Sequence, residues 1–323
     1  MQALIANRSA PGSLEFRSDY PEPAPASDEV KIRVRYAGIC STDLEIVRGY
    51  MDFRGVPGHE FVGDVVSGPA ELLGRRVVAE INCAPTGSPA LPDEVRKHLP
   101  QRTVLGIAGR DGAFAEFVTV PAQNCHVVPD SIDDREAVFV EPLAAACQVL
   151  RDHPVRAETR ASVIGTGRLG ILCAQVLAAT GCRLEVLGRN PATMKFCRAR
   201  GLTVRDVSSL PDSPDRDLVV DCTGSPDGLR LALRLVRPRG TIVLKSTYAR
   251  PPTIDLTPIV IHEITLAGNR CGPFPEALSL LERRQVDVAS MVSAVYPLSR
   301  GVEAFAAADD PGRIKVILQP GRA

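Results

Sequence analysis

The chain changes rhythm near residue 145. Before that point, short stretches alternate polar and apolar positions: KIRVRYAG (31–38), FVGDVVSG (61–68), RRVVAEI (75–81) and GAFAEFVTVP (112–121). A period of two predicts half-buried β-strands, and the turn residues between them predict reversals. Beyond it, strand and helix patterns take turns. ASVIG (161–165) reads as β, RLGILCAQVLAAT (168–180) as helix and RLEVLG (183–188) as β again. PATMKFCRARG (191–201) reads as a helix with proline near its start and glycine after its end. DLVVDCTG, LRLALRLVRP, GTIVLKST and EITLAGN continue the alternation to residue 269. That order predicts an α/β architecture with a doubly wound parallel sheet covered by helices on both faces. EALSLLERRQ, VSAVYPLS and IKVILQP, in the last ~50 residues, can return to the first domain. SSLPDSPD (208–215) and residues 84–101 read as turn-rich loops.

Composition narrows the class of protein. The 323 residues suffice for two domains, and 45% hydrophobic with 24% charged residues is ordinary for a globular chain. Thirty-eight basic residues balance thirty-eight acidic ones, which points away from nucleic acid and anionic membranes. No apolar run approaches the ~20 residues of a membrane span. The start, MQALIANRSAPGS, does not read as a signal peptide. Nine scattered cysteines, mostly in apolar contexts, read as reduced core residues of a cytoplasmic protein.

Two groups of residues carry chemistry. GTGRLG (165–170) follows a predicted strand and opens a predicted helix, the context a dinucleotide fingerprint requires. Gly165 permits the tight turn, Gly167 lets the backbone approach a pyrophosphate, and Gly170 allows close helix–sheet packing. Arg168 and Leu169 open the helix whose N-terminus faces the phosphates. At the end of the second strand, Gly188 and Arg189 stand where an NAD-selecting acid is expected. Glycine leaves room for a 2′-phosphate and arginine can pair with it, so NADP(H) is favoured over NAD(H). The second group is Cys40, His59 and Glu60: either metal ligands, since zinc accepts all three donor types, or a coincidence of a folded surface. Glu141, between apolar residues at the domain junction, is a further acid that needs a cation, a donor or a helix N-terminus.

In combination the motifs are specific. AGICSTDLE, VPGHEFVGDVV, FVEPLAAACQV and GTGRLG occur in the order found in zinc-dependent medium-chain alcohol and polyol dehydrogenases, and the chain resembles that family over essentially its whole length. The resemblance implies a GroES-like, mostly-β catalytic domain (1–143 and 274–323) and a Rossmann domain (144–273), with the active site in the cleft between them. It implies one catalytic Zn2+ held by Cys40, His59 and an acid, Glu60 or Glu141. Thr42 would pass the substrate proton, and Asp43 would stand behind the histidine ligand. Thr223, Lys245, Ser246 and Thr247 would line the nicotinamide pocket. Arg270 resembles an active-site arginine, and Lys315 the basic residue that meets the pyrophosphate. The loop GYMDFRG (49–55) would line the substrate pocket with Tyr50, Phe53 and Arg54.

The sequence departs from the family pattern twice. A lobe that often carries four cysteines around a structural zinc keeps only Cys83, and Glu45 replaces a histidine that often ends the proton relay. The activity implied is hydride transfer between an alcohol or carbonyl substrate and a nicotinamide, in a homodimer or homotetramer. The alternatives are an epimerase or lyase that oxidises transiently with held cofactor, and a non-catalytic nucleotide sensor. Net consumption of nicotinamide separates the first alternative, and metal content the second.

Overall fold

The structure, a computed structural model, describes residues 1–7, 13–209, 213–248 and 253–321. Part of the amino-terminal stretch (8–12) and of the loop 208–215 (210–212) therefore lies outside the described residues. The chain divides into unit 1, Met1–Glu141 with Pro273–Ala323, and unit 2, Pro142–Gly272.

In unit 1, β1 (Ala3–Asn7) pairs antiparallel with β2 (Ser13–Arg17). Next comes β3 (Glu29–Gly38), whose alternation is read out directly: Val30, Ile32 and Val34 are buried, whereas Arg33 and Arg35 are exposed. Helix α1 (Ser41–Val47) follows, then β4 (Glu60–Ser67), β5 (Arg76–Ala79) and β6 (Asn82–Cys83). After the short α2 (Asp93–Arg96) come β7 (Thr103–Val104), β8 (Phe117–Pro121) and β9 (Cys125–Val127). Helices α3 (Asp134–Ala137) and α4 (Val140–Asp152) lead into unit 2.

Unit 2 alternates as its sequence predicts: β10 (Arg160–Ile164), α5 (Arg168–Ala178), β11 (Arg183–Gly188), α6 (Pro191–Arg198), β12 (Val204–Asp206), β13 (Arg216–Asp221), α7 (Pro226–Leu235), β14 (Val236–Leu244), α8 (Thr257–Ile261) and β15 (Thr265–Gly268). Its six parallel strands take the order β12-β11-β10-β13-β14-β15. This is the doubly wound order of a dinucleotide-binding sheet, with a crevice where the winding reverses beside β10. Ile164, Leu187, Val219 and Ile242 from four strands bury against Leu229, Ala232 and Leu235 of α7. Each such side chain contributes about 1.5–3 kcal/mol when fully buried.

The chain then returns to unit 1 through α9 (Phe274–Glu282), β16 (Val292–Pro297), α10 (Gly301–Ala308) and β17 (Lys315–Gln319). β17 joins β3 antiparallel, completing a seven-stranded sheet ordered β16-β17-β3-β4-β5-β9 with β8 also on β3. This long-range pairing brings Lys315 beside Gly38 and the first residues of β4.

The lobe at residues 84–101 is organised by charge. Arg96 and Glu80 are both buried and form an ion pair, and His126 Nε2 meets the other Glu80 oxygen at 2.8 Å. Asn124 donates to the carbonyls of Glu80 at 2.7 Å and Asn82 at 2.9 Å. Breaking one partner of a buried pair leaves the other charge uncompensated. Arg96→Ala is therefore expected to destabilise unit 1 by about 3 kcal/mol, seen as a lower urea midpoint. An unchanged midpoint would mean that the pair holds nothing.

Candidate functional site

The metal-ligand candidates assemble around one helix terminus. Cys40 is the N-cap of α1, and Asp43, three residues on, accepts the Cys40 N–H through Oδ2 at 2.8 Å. Its other oxygen, Oδ1, accepts the Gly58 N–H at 3.1 Å and lies 3.3 Å from His59 Nδ1. The geometry at Nδ1 is that of an ion pair and not of an aligned hydrogen bond, since that nitrogen has no hydrogen-bond partner. Asp43 thus fixes the imidazole from behind and leaves Nε2 as the ligand atom. Cys40 Sγ, a His59 nitrogen and a Glu60 oxygen lie within 4.8 Å of one another. A thiolate, an imidazole and a carboxylate at such separations suit a single tetrahedral zinc, so the residues fit the ion. Glu141, half-buried on the first turn of α4, is not part of this group.

Electrostatics support a cation there. Burial pushes the His59 imidazolium towards losing its proton, but the Asp43 carboxylate and the Cys40 sulfur outweigh it and hold the pKa well above 6.5. A site that favours positive charge on its imidazole is one that a metal can neutralise. Thr42 Oγ1 stands 3.8 Å from Cys40 Sγ, beside the same donors. Glu45, where the resemblance puts a histidine, is bound to Arg48 at 2.6 Å near solvent.

Lys315 is buried beside the candidate ligands. Its side chain is 1% exposed, its ammonium pairs with Glu60 Oε2 and sits 3.5 Å from the Ile39 carbonyl, and the Phe139 ring centroid is 5.5 Å away. The ammonium offsets the charge of the buried Glu60 carboxylate. The loop 49–55 is part of unit 1, with Met51 and Asp52 both in the left-handed region at φ 62° and 53°.

In unit 2 the cofactor candidates gather at the carboxyl ends of the strands. Gly165 adopts φ 107°, and a Cβ on Gly170 would lie 2.0 Å from the Gly165 carbonyl oxygen, so only glycine fits there. Gly167 is exposed, meets nothing within 4 Å of where its Cβ would be, and offers no side chain to cap α5. That surface suits an anion approaching the first turn, at Arg168 and Leu169. Thr223 is held by Asp221, which accepts from its N–H at 2.9 Å and its hydroxyl at 2.7 Å. The next residue, Gly224, packs against Ser246 and Thr247.

Two candidates need reassignment. The Gly188 position does not leave room for a phosphate: a Cβ there would lie 2.7 Å from Thr166 Cγ2 and 2.9 Å from Met194 Cγ. Arg189 beside it is exposed and has no partner among the described residues. Lys245 is buried and donates to the Ala145 carbonyl at 2.6 Å and to Asn269, which in turn donates to Asp152 at 2.6 Å. It ties α4 to the ends of β14 and β15, a role that sequence reasoning missed because its partners are remote in the chain. Arg270 is exposed and donates to its neighbour's Cys271 Sγ at 3.6 Å.

The chain is similar to known proteins along its length. Residues 26–130 match the alcohol dehydrogenase GroES-like domain, and residues 169–283 the zinc-binding dehydrogenase family. Sorbitol dehydrogenase from Halalkalibacterium halodurans is 27% identical, over 99% of each chain. (R,R)-butanediol dehydrogenase from Bacillus subtilis is 28% identical, over 93% of this chain and 94% of its own. The crystal structure of the 2R,3R-butanediol dehydrogenase from Bacillus subtilis superposes with a TM-score of 0.88 at 26% identity, covering 99% of both chains.

The Asp43–His59 pair has a measurable signature. Because the folded-state pKa of His59 is raised above 6.5, its contribution to the metal-free protein is complete below that value and is lost as pH rises through the folded pKa. Resistance of the metal-free protein to urea is thus expected to fall as pH rises above 6.5, and Asp43→Asn to flatten that trend. The same variant is expected to lower zinc affinity about 10–100-fold. Unchanged zinc affinity would remove Asp43 from the site's support.

Proposed function

The chain belongs to the zinc-dependent medium-chain dehydrogenase family, and on that premise we propose that Cys40, His59 and Glu60 hold its zinc. The family's members are oxidoreductases that move a hydride between an alcohol or carbonyl carbon and a nicotinamide. The observation that carries the reading is the cluster of three donor atoms within 4.8 Å, backed by buried Asp43. When bound, zinc supplies Lewis acidity, which acidifies an alcohol hydroxyl and polarises a carbonyl. The protein's residues do the rest. Thr42, beside the Cys40 sulfur, takes the hydroxyl proton on oxidation and returns it on reduction. The glycine turn and the strand ends at Thr223, Ser246 and Thr247 orient the dinucleotide.

The substrate class we propose is a small polyol or vicinal diol oxidised at a secondary carbon. The relatives named for sorbitol and butanediol support it. A homodimer or homotetramer is supported by β15, an edge strand of its sheet, with Leu266 exposed on it and Val260 and Ile261 exposed on α8. Among the described residues no helix is long and apolar enough to cross a membrane, and nine free thiols fit the reducing cytoplasm.

Elemental analysis tests the centre. One zinc per chain is expected, lost in Cys40→Ser, whereas Thr42→Val keeps the zinc and loses about 10²–10⁴-fold in turnover. A zinc-free wild type would sink the metal assignment, and a fully active valine variant the proton route.

For the cofactor we propose NADP(H) over NAD(H). No carboxylate ends β11, an acid at position 188 would collide with Thr166, and Arg189 is exposed next to the N-cap Asn190 of α6. Arg189→Ala is expected to raise the KM for NADP roughly ten- to hundredfold, the equivalent of one charge-assisted hydrogen bond, with little change for NAD. Equal use of both cofactors by the wild type would refute the preference.

A further inference from the structure

The end of unit 2 away from the glycine turn carries a second concentration of charge. A groove of about 650 Å³ opens there, at the amino ends of β10, β11 and β13, and Arg160, Arg183, Glu185, Asp215 and Arg216 line it. A volume of this size is that of a small-molecule site. Doubly wound sheets bind dinucleotides at the carboxyl ends of their strands, and Arg160 opens β10 roughly 16 Å before Gly165. The groove is therefore no part of the site proposed above. Gly181 and Gly201 keep it open. Both reverse the chain in the left-handed region, at φ 76° and 75°, and nothing lies within 4 Å of where either Cβ would be.

The carboxylates of the groove are already taken. Asp215 pairs with Arg216 through Oδ1 and with Arg160 Nη1 through Oδ2 at 2.9 Å. Glu185 meets Arg205 Nε at Oε1 and Arg216 Nη2 at Oε2, both at 2.7 Å. Arg216 also gives its Nε–H to the Ser162 hydroxyl at 2.8 Å, so it braces the groove instead of facing a ligand. The other two arginines differ. Arg183 is exposed, and its side chain has no partner among the described residues. Arg160 is exposed too and commits only Nη1. The two are paired positions of adjacent parallel strands, so their side chains leave the sheet on one face, with Cα atoms about 4.8 Å apart. Like charges that close repel, and both carboxylates of the groove are already shared with other guanidinium groups.

We propose that Arg160 and Arg183 together bind a phosphate dianion in this groove, free or as the head of a small phosphate monoester. A tetrahedral phosphate presents oxygens to two guanidinium forks at once, and each fork matches it with parallel N–H groups. The dianion replaces repulsion between the two arginines with attraction to both. An organic body has room beside it, because the groove is far larger than a phosphate and includes Leu184 and Thr203. The site lies within unit 2 and uses neither the zinc donors nor the glycine turn, so it stands independently of the dehydrogenase reading.

The test is calorimetric titration of zinc-loaded, full-length protein with inorganic phosphate and, separately, with β-glycerophosphate. Ionic strength is held constant, at a mildly alkaline pH where both probes are dianions. NADH, which carries no phosphate monoester, is kept saturating so that the glycine turn is occupied. One saturable site per chain is expected. Arg183→Ala and Arg160→Ala should each weaken it about ten- to hundredfold, as loss of a charge-assisted hydrogen bond does. Both side chains are exposed, and exposed pairs contribute little to stability, so the variants should keep the wild-type urea midpoint. Arg54→Ala, in the unit 1 loop, should bind like wild type. Tighter binding of β-glycerophosphate than of inorganic phosphate identifies a monoester as the ligand, and equal binding identifies phosphate itself. No saturable binding of either probe to the wild type would overturn the proposal. So would full affinity in either Arg183→Ala or Arg160→Ala, or a loss confined to Arg54→Ala, which would place the anion in unit 1. Failure of NADH to bind would count against the cofactor reading and not against this one.

Discussion

The buried carboxylate of Asp43 is the constraint on which the candidate metal site depends. It is fully buried, a position that would cost several kcal/mol for an unsatisfied charge. Three groups offset that cost: the Cys40 N–H, the Gly58 N–H and the His59 ring. The same contacts start helix α1, fix the turn before β4 and orient the imidazole. Secondary structure and ligand geometry are therefore one arrangement here. Moving Asp43 would loosen Cys40 and His59 together, although they belong to different elements.

Charge balance extends outward from that carboxylate. Glu60, next to His59, is buried with the Lys315 ammonium, which arrives on β17 from the far end of the chain. Gly38 is small for this reason, since a Cβ there would meet both Glu60 Oε2 and Val138 Cγ1 at 2.7 Å. Any metal at the cluster shares the Glu60 carboxylate with Lys315. The carboxyl-terminal strand is thus an electrostatic part of a site whose donor atoms lie in the first 60 residues.

Unit 2 obeys a steric constraint in the same manner. Its glycine turn exists because a side chain at position 170 would strike the Gly165 carbonyl, and Gly188 is glycine because Thr166 and Met194 fill the adjoining space. Thr166 and Thr193 bond to each other at 2.7 Å beneath it. Lys245, Asn269 and Asp152 then lock the last two strands to α4. These internal ties hold the strand ends proposed to meet the dinucleotide, while Gly167 and Arg189 keep outward faces.

Local order was legible in the sequence because it depends on neighbours. The period of two in KIRVRYAG predicts β3, proline and glycine bracket α6, and GTGRLG between strand and helix predicts the phosphate turn. Cys40 and His59 could be singled out because their residue types sit in a recognisable motif. Short β12 and α8 escaped, having too few residues to show a period. What only the tertiary structure decided were partnerships across long stretches of chain. The burial of Lys315 against Glu60 is one, made when β17 pairs with β3. The packing of Thr166 and Met194 around Gly188 is another. The sequence by itself determines what each segment can form; which charges meet depends on how distant segments pack, because burial makes an unpaired charge too costly to keep.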